Sequence, residues 1–282
     1  MTRYAIEYWL LRAALGVFGM MTPDAASGAG GALFKTIGPV MGISKTARKN
    51  LRLCFPDWTE AHVESTIKGM WENLGRVVGE YPHLEAISKS DRVTFRNPAV
   101  FEGLRGKPVI FVSGHLGNWE VLPPALLFRQ QVTMHSVYRA PNNPKVDALL
   151  LTLRAFGARL RSFGKNRRGL AETLRALQEG ASVGMLIDQK MNTGIEVPFF
   201  GHPAMTSTAF VELAKKLGCP AIPGRIVRTG GCRFEIEIYE PLAIEGRDTA
   251  AIVADMHAHL ESWIKEQPEQ WLWLHRRWKK AD

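Results

Sequence analysis

A short apolar run that ends in a histidine flanked by glycines constrains the fold of this chain more than any other stretch. Residues 109–113 are largely apolar and rich in β-branched side chains, which predicts a strand buried inside a sheet. Gly114 and Gly117 interrupt the pattern on either side of His115, and a helix is expected to begin again at Asn118. The sequence therefore places this histidine in the turn that leaves a buried strand.

An acidic side chain, Glu120, follows this histidine at position i+5. On one continuous helix the two side chains would point about 140° apart, but the bend expected at the glycines can bring them together. A carboxylate beside an imidazole fixes the ring tautomer and stabilises the imidazolium ion, which is a general-base arrangement. A solvated loop histidine with a glutamate on a surface helix is the alternative, and the spacing alone favours neither.

The order of predicted elements indicates an α/β protein. Helices come first, and from residue 108 onward strands alternate with helices. The later elements expected are a strand in 131–139, a helix capped by Asn143, a buried strand in 182–187 and an apolar loop at 197–201. The prediction is a single domain over residues 31–282, with a mixed central sheet flanked by helices.

Residues 1–30 are predicted to form a separate N-terminal part, a membrane-seeking helix followed by a joint. The stretch 5–21 is mostly apolar, but Glu7 and Arg12 interrupt it, and the remainder is too short to span a bilayer. An amphipathic helix lying on the membrane fits better, and the glycines of 28–31 predict a flexible joint after it. The side chains expected to contact lipid are Trp9, Leu10, Phe18 and Met21. An ordinary helix packed on the core is the alternative.

The chain carries a net charge of +9, from 36 Lys and Arg against 27 Asp and Glu. This excess favours an anionic partner, which can be an acidic protein, a phospholipid headgroup or nucleic acid. One predicted helix has a basic face made of Lys45, Arg48, Lys49 and Arg52. A second basic segment, 154–168, contains no acidic residue. Because like charges on one helix face repel one another, a docking role is favoured for the first face over simple solvation.

Several kinds of site are excluded or weakly supported. The chain has three cysteines, Cys54, Cys219 and Cys232. Their wide spacing argues against a disulfide framework or a structural zinc site and suits a reducing compartment. There is no GxSxG elbow, P-loop or HExxH motif. A metal site built from His115, Asp188 and His202 stays an alternative, although no closely spaced ligand pair supports it.

Polar side chains follow three of the predicted strands. They are His115 with Glu120, Tyr138 with Arg139, and Asp188 with Gln189. In open α/β sheets, ligands bind beyond the carboxyl ends of the strands. The three groups therefore converge if the sheet forms as predicted, and this convergence favours the catalytic interpretation of the histidine.

The stretch from His115 to Glu120 resembles the HX4(D/E) motif of lysophospholipid acyltransferases. Further stretches, in order from roughly residue 40 to the end, make the chain similar to the bacterial lipid A late acyltransferases, the lauroyl and myristoyl transferases. They are Tyr138-Arg139, Asn142-Asn143-Pro144 with Asp147, Asp188-Gln189, Val197-Pro198-Phe199-Phe200-Gly201, Pro268-Glu269-Gln270-Trp271 and His275-Arg276-Arg277-Trp278-Lys279. This ordered set is more specific than the HX4E motif alone.

The resemblance implies a membrane-associated enzyme on the cytosolic face of the bacterial inner membrane. Such an enzyme moves a fatty acyl chain from acyl carrier protein to a hydroxyl of a lipid A precursor. Residues 31–282 would then be the acyltransferase domain, with His115 as general base and Glu120 as its orienting carboxylate. The substrate-binding residues implied are Asn118, Arg139, Asp188 and Gln189. For Asp188 the expected role is either to orient the acceptor or to support the residues that touch it. Neither a metal ion nor a cofactor is expected.

The chemistry of acyl transfer agrees with these residues. A hydroxyl is a poor nucleophile and a thioester a good acyl donor, so the enzyme needs a base and donors for the tetrahedral oxyanion. Backbone N–H groups near Gly117 and Asn118 are the geometric candidates for those donors. Arg139 is expected to hold an anionic group of the acceptor or the phosphopantetheine of the carrier. The basic helix face is assigned to an anionic membrane surface, and the segment 154–168 to the carrier protein or to phosphates of the acceptor.

Three other functions compete with this hypothesis. An acyltransferase of the same superfamily could act on another glycolipid or on a lysophospholipid. A non-catalytic lipid-binding protein at the membrane surface would tolerate loss of His115. Nucleic-acid binding through the basic segments is the third, but tryptophan alternates with leucine in 271–274, which is more typical of a packed C-terminal segment. No nucleic-acid partner is therefore predicted.

Overall fold

The computed structural model describes residues 3–97, 100, 103 and 106–278, and a mixed sheet lies at its centre. Lys279, the last residue of the terminal motif, lies outside the described residues. The described strands are β1 (Val93–Arg96), β2 (Ile110–Ser113), β3 (Met134–Tyr138), β4 (Ser162–Gly164), β5 (Ser182–Leu186), β6 (Ile195–Phe199), β7 (His202–Thr206), β8 (Ala221–Gly230) and β9 (Arg233–Ile238).

In the described part of the chain, seven of these strands form one sheet in the order β1-β9-β8-β2-β5-β3-β4. Strands β8 and β9 are antiparallel, and the other neighbouring pairs are parallel. Three adjacent parallel strands, β2, β5 and β3, end at the same edge of the sheet. The predicted mixed α/β fold is confirmed, and so is the common edge on which the predicted site depends.

Helices precede the sheet and cover its two faces. They are α1 (Arg3–Gly19), α2 (Pro23–Ile37), α3 (Ser44–Cys54), α4 (Glu60–Glu80), α5 (Leu84–Lys89), α6 (Leu122–Ala125), α7 (Pro144–Arg154), α8 (Arg167–Gln178), α9 (Ala209–Leu217) and α10 (Thr249–Glu266). Short 3-10 turns at Gly38–Val40, Tyr81–His83 and Pro268–Gln270, and one π-helical turn at Leu126–Gln130, complete the helical segments. The helix expected at Asn118 begins only at Leu122, because the residues after His115 form a turn.

The core has two parts, one on each face of the sheet. In β2, Ile110 and Val112 pack into one part and Phe111 into the other, as the two-residue period of a strand requires. All four residues of this strand are buried, which explains its continuous apolar sequence. The strand that carries the histidine is therefore fixed from both sides.

Close backbone contact joins α2 to α4. A Cβ atom on Gly30 would lie 2.3 Å from the carbonyl oxygen of Gly75, and one on Gly79 would lie 2.2 Å from the carbonyl oxygen of Ala26. Only glycine allows two helices to approach so closely. The flexible joint predicted at residues 28–31 is therefore wrong, because these glycines lie inside a helix, and Gly30 and Gly31 lie on its contact face.

The N-terminal segment is helical, as predicted, but only part of the predicted lipid-facing set is exposed. Trp9 and Leu10 on α1, and Met21 after it, are exposed, whereas Phe18 is buried against the protein. Among the described residues, no helix combines the length and the apolar character needed to cross a membrane. The expected boundary at residue 30 falls within α2.

Two further expectations need correction. Residues 195–199 are not a loop but a strand, β6, which pairs with β7 in an antiparallel hairpin. The basic face of α3 is partly neutralised, because Arg48 pairs with Glu64 of α4 at 2.5 Å and Arg52 with Glu60 at 2.7 Å. Hydrophobic periodicity predicts neither feature. The strand pairing depends on β7 and the ion pairs depend on α4, and the sequence does not show that these segments are the partners.

Candidate active site

The turn that carries His115 is held by a segment far along the chain. The carbonyl of His115 accepts a hydrogen bond from the backbone N–H of Leu272, at 3.2 Å, and Leu116 forms a bridge with Trp271. Gly117 donates its N–H to the carbonyl of Gln270, at 3.1 Å. This N–H is therefore engaged and is not the free oxyanion donor that the sequence suggested.

The imidazole of His115 is oriented by Asp188. Its Nδ1 lies 2.8 Å from Oδ1 of Asp188, and its backbone N–H donates to Oδ2 at 2.7 Å. Trp271 donates its indole N–H to the same Oδ2, at 2.8 Å. Burial opposes ionisation of this fully buried carboxyl, but the interaction with His115 outweighs burial and holds the pKa of Asp188 below its usual value. A carboxylate at Nδ1 fixes the proton there and leaves Nε2 as a proton acceptor.

The other ring nitrogen of His115 faces Gln189. The Gln189 amide nitrogen lies 3.1 Å from Nε2 of His115 and 3.0 Å from Nε2 of His275. With the amide assigned in this orientation, its two N–H groups donate to two unprotonated ring nitrogens. Burial, with a smaller contribution from the neighbouring histidine, lowers the pKa of His275 to about 4, so this ring is neutral near pH 7.

Glu120 does not occupy the position expected for it. Arg154 donates to its carboxylate from both Nε, at 2.8 Å, and a terminal nitrogen, and Trp119 donates its indole N–H at 3.1 Å. In the described contacts of His115, the orienting carboxylate is Asp188 rather than Glu120. The predicted pairing is corrected because the turn after β2 directs Glu120 toward α7, whose last residue is Arg154.

Asn118 is a structural residue rather than a substrate contact. Its side chain is fully buried, donates to Glu80 at 2.7 Å and accepts from the backbone N–H of Glu120 at 3.1 Å. Glu80 is itself fully buried and pairs with Arg228 of β8. Asp188 likewise has no exposed surface, so neither side chain meets substrate directly. The substrate contact expected for Asn118 is therefore corrected, and of the two roles expected for Asp188 the structure favours support of the base.

A cavity of about 550 Å³ opens beside the histidine. Arg139, Gln189 and Glu120 line it, as do His115 and His275. Apolar side chains form part of its wall, among them Phe111, Leu122, Met134, Val137 and Met185. The cavity thus joins a proton-accepting nitrogen, cationic side chains and an apolar wall, which is the composition of a site for an amphipathic substrate.

Several residues around the site were not predicted. Trp271 and His275 belong to the C-terminal motif, for which no role was predicted. Arg154 belongs to the basic segment 154–168, which was interpreted only by its charge. The segment is not one continuous basic surface, because Arg154 pairs with Glu120 and Arg168 with Glu172. For Trp271 and His275, the only signal in the sequence was that the C-terminal motif contains aromatic side chains and a histidine.

The alternative metal site is not assembled. His202 donates to the carbonyl of Leu53, at 3.2 Å, and does not line the cavity of His115. Within residues 3–97, 100, 103 and 106–278, no cluster of three or more His, Cys, Asp or Glu side chains is placed to hold a metal ion.

Comparison with known proteins points to one family. The model of a family described as bacterial lipid A biosynthesis acyltransferase matches residues 1–280. A lipid A biosynthesis acyltransferase of Haemophilus influenzae is 26% identical over 245 residues, covering 81% of this chain and 73% of the relative. The lauroyltransferase and the myristoyltransferase of lipid A biosynthesis in Escherichia coli are each 26% identical. They cover 84% and 82% of this chain, and 79% and 75% of their own lengths.

The resemblance inferred from the motifs is thus confirmed over almost the whole sequence. We conclude that the chain is an acyltransferase and belongs to the bacterial lipid A biosynthesis acyltransferase family.

Proposed function

We propose that this protein transfers a fatty acyl chain from acyl carrier protein to a hydroxyl of a lipid A precursor, with His115 as the general base. The observation that carries the proposal is the contact between Nδ1 of His115 and the buried carboxylate of Asp188. It leaves Nε2 unprotonated at the wall of the cavity, where a hydroxyl can replace the amide of Gln189. Family membership supports acyl transfer in lipid A biosynthesis, and the choice of donor and base is our inference.

The reaction follows from that tautomer. The acceptor hydroxyl gives its proton to Nε2 of His115 while its oxygen bonds to the thioester carbonyl carbon. Asp188 stabilises the imidazolium ion that forms. The tetrahedral intermediate collapses with cleavage of the C–S bond, and the imidazolium proton passes to the departing thiolate. No covalent enzyme intermediate is required, and no residue other than the base changes its protonation state.

Glu120 acts through Arg154 in this proposal. The bidentate contact holds the Arg154 guanidinium at the wall of the cavity, close to the ring of Tyr138. Arg139, from the end of β3, supplies a second cation on the same wall. Fixed guanidinium groups suit the anionic portions of an acyl donor or acceptor, because they donate in a planar fork.

We also propose that the protein works at the cytosolic face of the inner membrane. In the described part of the chain, every exposed large hydrophobic residue except Leu170 lies between residues 4 and 43. The most exposed are Leu10 on α1, Met20 after it, and Val40 in the 3-10 turn after α2. So concentrated an apolar surface is typical of an interfacial membrane contact.

The test is a direct transfer assay in detergent. Purified protein receives acyl carrier protein loaded with mixed chains, together with a lipid A precursor, a second glycolipid and a lysophospholipid. Products are identified by mass spectrometry. We expect one added acyl chain on the lipid A precursor and release of the free carrier thiol. Acylation of only the other acceptors would reassign the substrate. A parallel reaction contains acyl-coenzyme A in place of the loaded carrier, and transfer in that reaction alone would reject the carrier as donor.

A further inference from the structure

A second cavity, of about 770 Å³, carries an excess of positive charge. Its basic side chains are Lys45, Lys49, Lys190 and Arg276, all on exposed residues. None of these four forms an ion pair with another described residue, in contrast to Arg48 and Arg52 on the same helix as the first two. Glu196 contributes one carboxylate to the lining, so the cations remain in excess.

This cavity adjoins the one that contains the base. Lys190 follows Gln189 in the chain, and Arg276 follows His275. In each pair the first residue lines the catalytic cavity and the second lines the basic cavity. Because consecutive Cα atoms are about 3.8 Å apart, the two cavities share a wall made by these two short segments. A ligand in the basic cavity is therefore close to the reacting groups.

The basic cavity also adjoins the apolar surface. Val40, Met41 and Ile43 are exposed, and Lys45 follows them in the first turn of α3. The cations thus begin where the apolar surface ends. A lipid at the interface has its acyl chains in the membrane and its charged headgroup outside it. The apolar side chains would therefore face the acyl chains, and the cations would face an anionic headgroup.

We propose that the basic cavity binds a phosphate group carried by the headgroup of the lipid acceptor. The proposal rests on the acyl transfer proposed above. Phosphate carries about −1.5 to −2 charges and several acceptor oxygens, so it can engage several cations at once. Three ammonium groups and one guanidinium give donors of both kinds that commonly bind phosphate. Held there, the headgroup would present a neighbouring hydroxyl across the shared wall to His115.

The test removes two of the free cations, by Lys49→Ala with Lys190→Ala. The control, Lys68→Ala with Lys216→Ala, removes the same two charges from exposed positions that do not line either cavity. Binding of a phosphorylated disaccharide lipid and of its enzymatically dephosphorylated form is measured in detergent micelles. We expect the first variant to bind the phosphorylated lipid at least about tenfold more weakly, with unchanged binding of the dephosphorylated form and no change in the control.

The same variants are then assayed for transfer. A rise in KM for the phosphorylated acceptor, with KM for acyl carrier protein unchanged, supports the proposal. A rise in KM for the carrier alone would assign the cavity to the phosphate of the carrier's prosthetic arm and overturn it. Equal binding of both lipids by variant and wild type would also overturn it. A further outcome is that the wild-type protein binds the phosphorylated lipid in preference to the dephosphorylated form and yet transfers no acyl chain to any acceptor. That result would reject the proposed reaction but support the binding site.

Discussion

Nδ1 of His115 lies 2.8 Å from Oδ1 of Asp188, although 73 positions separate the two residues in the chain. The second oxygen of the carboxylate receives both the backbone N–H of His115 and the indole N–H of Trp271. One buried carboxylate therefore fixes the ring of the base, the turn that carries it and the segment that supports that turn.

Asp188→Asn is expected to reduce kcat by about 10²–10⁴-fold, the usual contribution of general-base catalysis. The neutral amide cannot stabilise the imidazolium ion, and its N–H can donate to Nδ1 and shift the ring to the wrong tautomer. Initial rates are measured alongside thermal unfolding, which checks that the variant is folded. A folded variant that loses less than about tenfold would contradict the assignment.

Glu120 and Arg154 are expected to behave as one unit. Because each holds the other at the cavity wall, Glu120→Gln and Arg154→Gln should each impair transfer, and the double variant should be no worse than the poorer single variant. A double-mutant cycle on kcat/KM measures this coupling. Additive losses would mean that the two side chains act separately, and Glu120 would then need another role.

The sequence predicted the parts of the site that depend on strand order. His115, Arg139 and Asp188 with Gln189 each follow a strand, and parallel neighbours end at one edge, so their convergence was inferable. The partner of Glu120 could not be inferred from the sequence, because it depends on how α7 packs beside the cavity. Local spacing suggested the nearest histidine, whereas the folded chain supplies an arginine and leaves the histidine to a distant aspartate.

The glycines of α2 show a second limit of sequence interpretation. A cluster of glycines is equally typical of a flexible joint and of two helices in close contact, and the partner helix α4 decides between them. His275 and Trp271 were missed for a related reason, since they belong to no periodic element and reach the site only by tertiary packing.

Gly30→Ala and Gly28→Ala should have opposite effects on stability, although both lie in α2. A Cβ at Gly30 would clash with the backbone of Gly75, and we expect a loss of about 1–3 kcal/mol in the free energy of unfolding. A Cβ at Gly28 meets nothing within 4 Å, so the better helix propensity of alanine should add about 0.5–1 kcal/mol. Urea unfolding of the two variants measures both. Equal stability would show that α2 and α4 do not meet as described.

Stability should fall as the pH is lowered from 6.5 toward 4. Burial lowers the pKa of His257 to about 4, with a further contribution from Arg277, and its ring is 1% exposed. Between these pH values this ring binds a proton in the unfolded chain but not in the folded chain, so its titration alone favours unfolding by roughly 1–2 kcal/mol at pH 5 relative to pH 7. His257→Asn, which keeps a donor for the Pro198 carbonyl, should flatten the dependence of the urea midpoint on pH. An unchanged slope would contradict the role of this ring.

Membrane binding should depend on the exposed apolar side chains of α1. Trp9 and Leu10 are 55% and 67% exposed, and replacing both with serine should lower flotation with anionic liposomes at least about tenfold while leaving turnover in detergent unchanged. Leu170→Ser is the matched control, because Leu170 is 48% exposed but lies on α8. Flotation that is insensitive to the double replacement, or equally sensitive to the control, would reject this surface as the contact.

The support that residues 270–272 give to the turn of His115 has a consequence for synthesis of the protein. On the ribosome, the strand and the histidine emerge long before the segment that fixes them. A nascent chain that has already formed β2, β3 and β5 would still lack the indole donor to Asp188 and the backbone partners of residues 115 and 117. The histidine therefore gains its full set of contacts only after residue 272 has emerged, and a truncation before residue 270 should leave a histidine without its geometry.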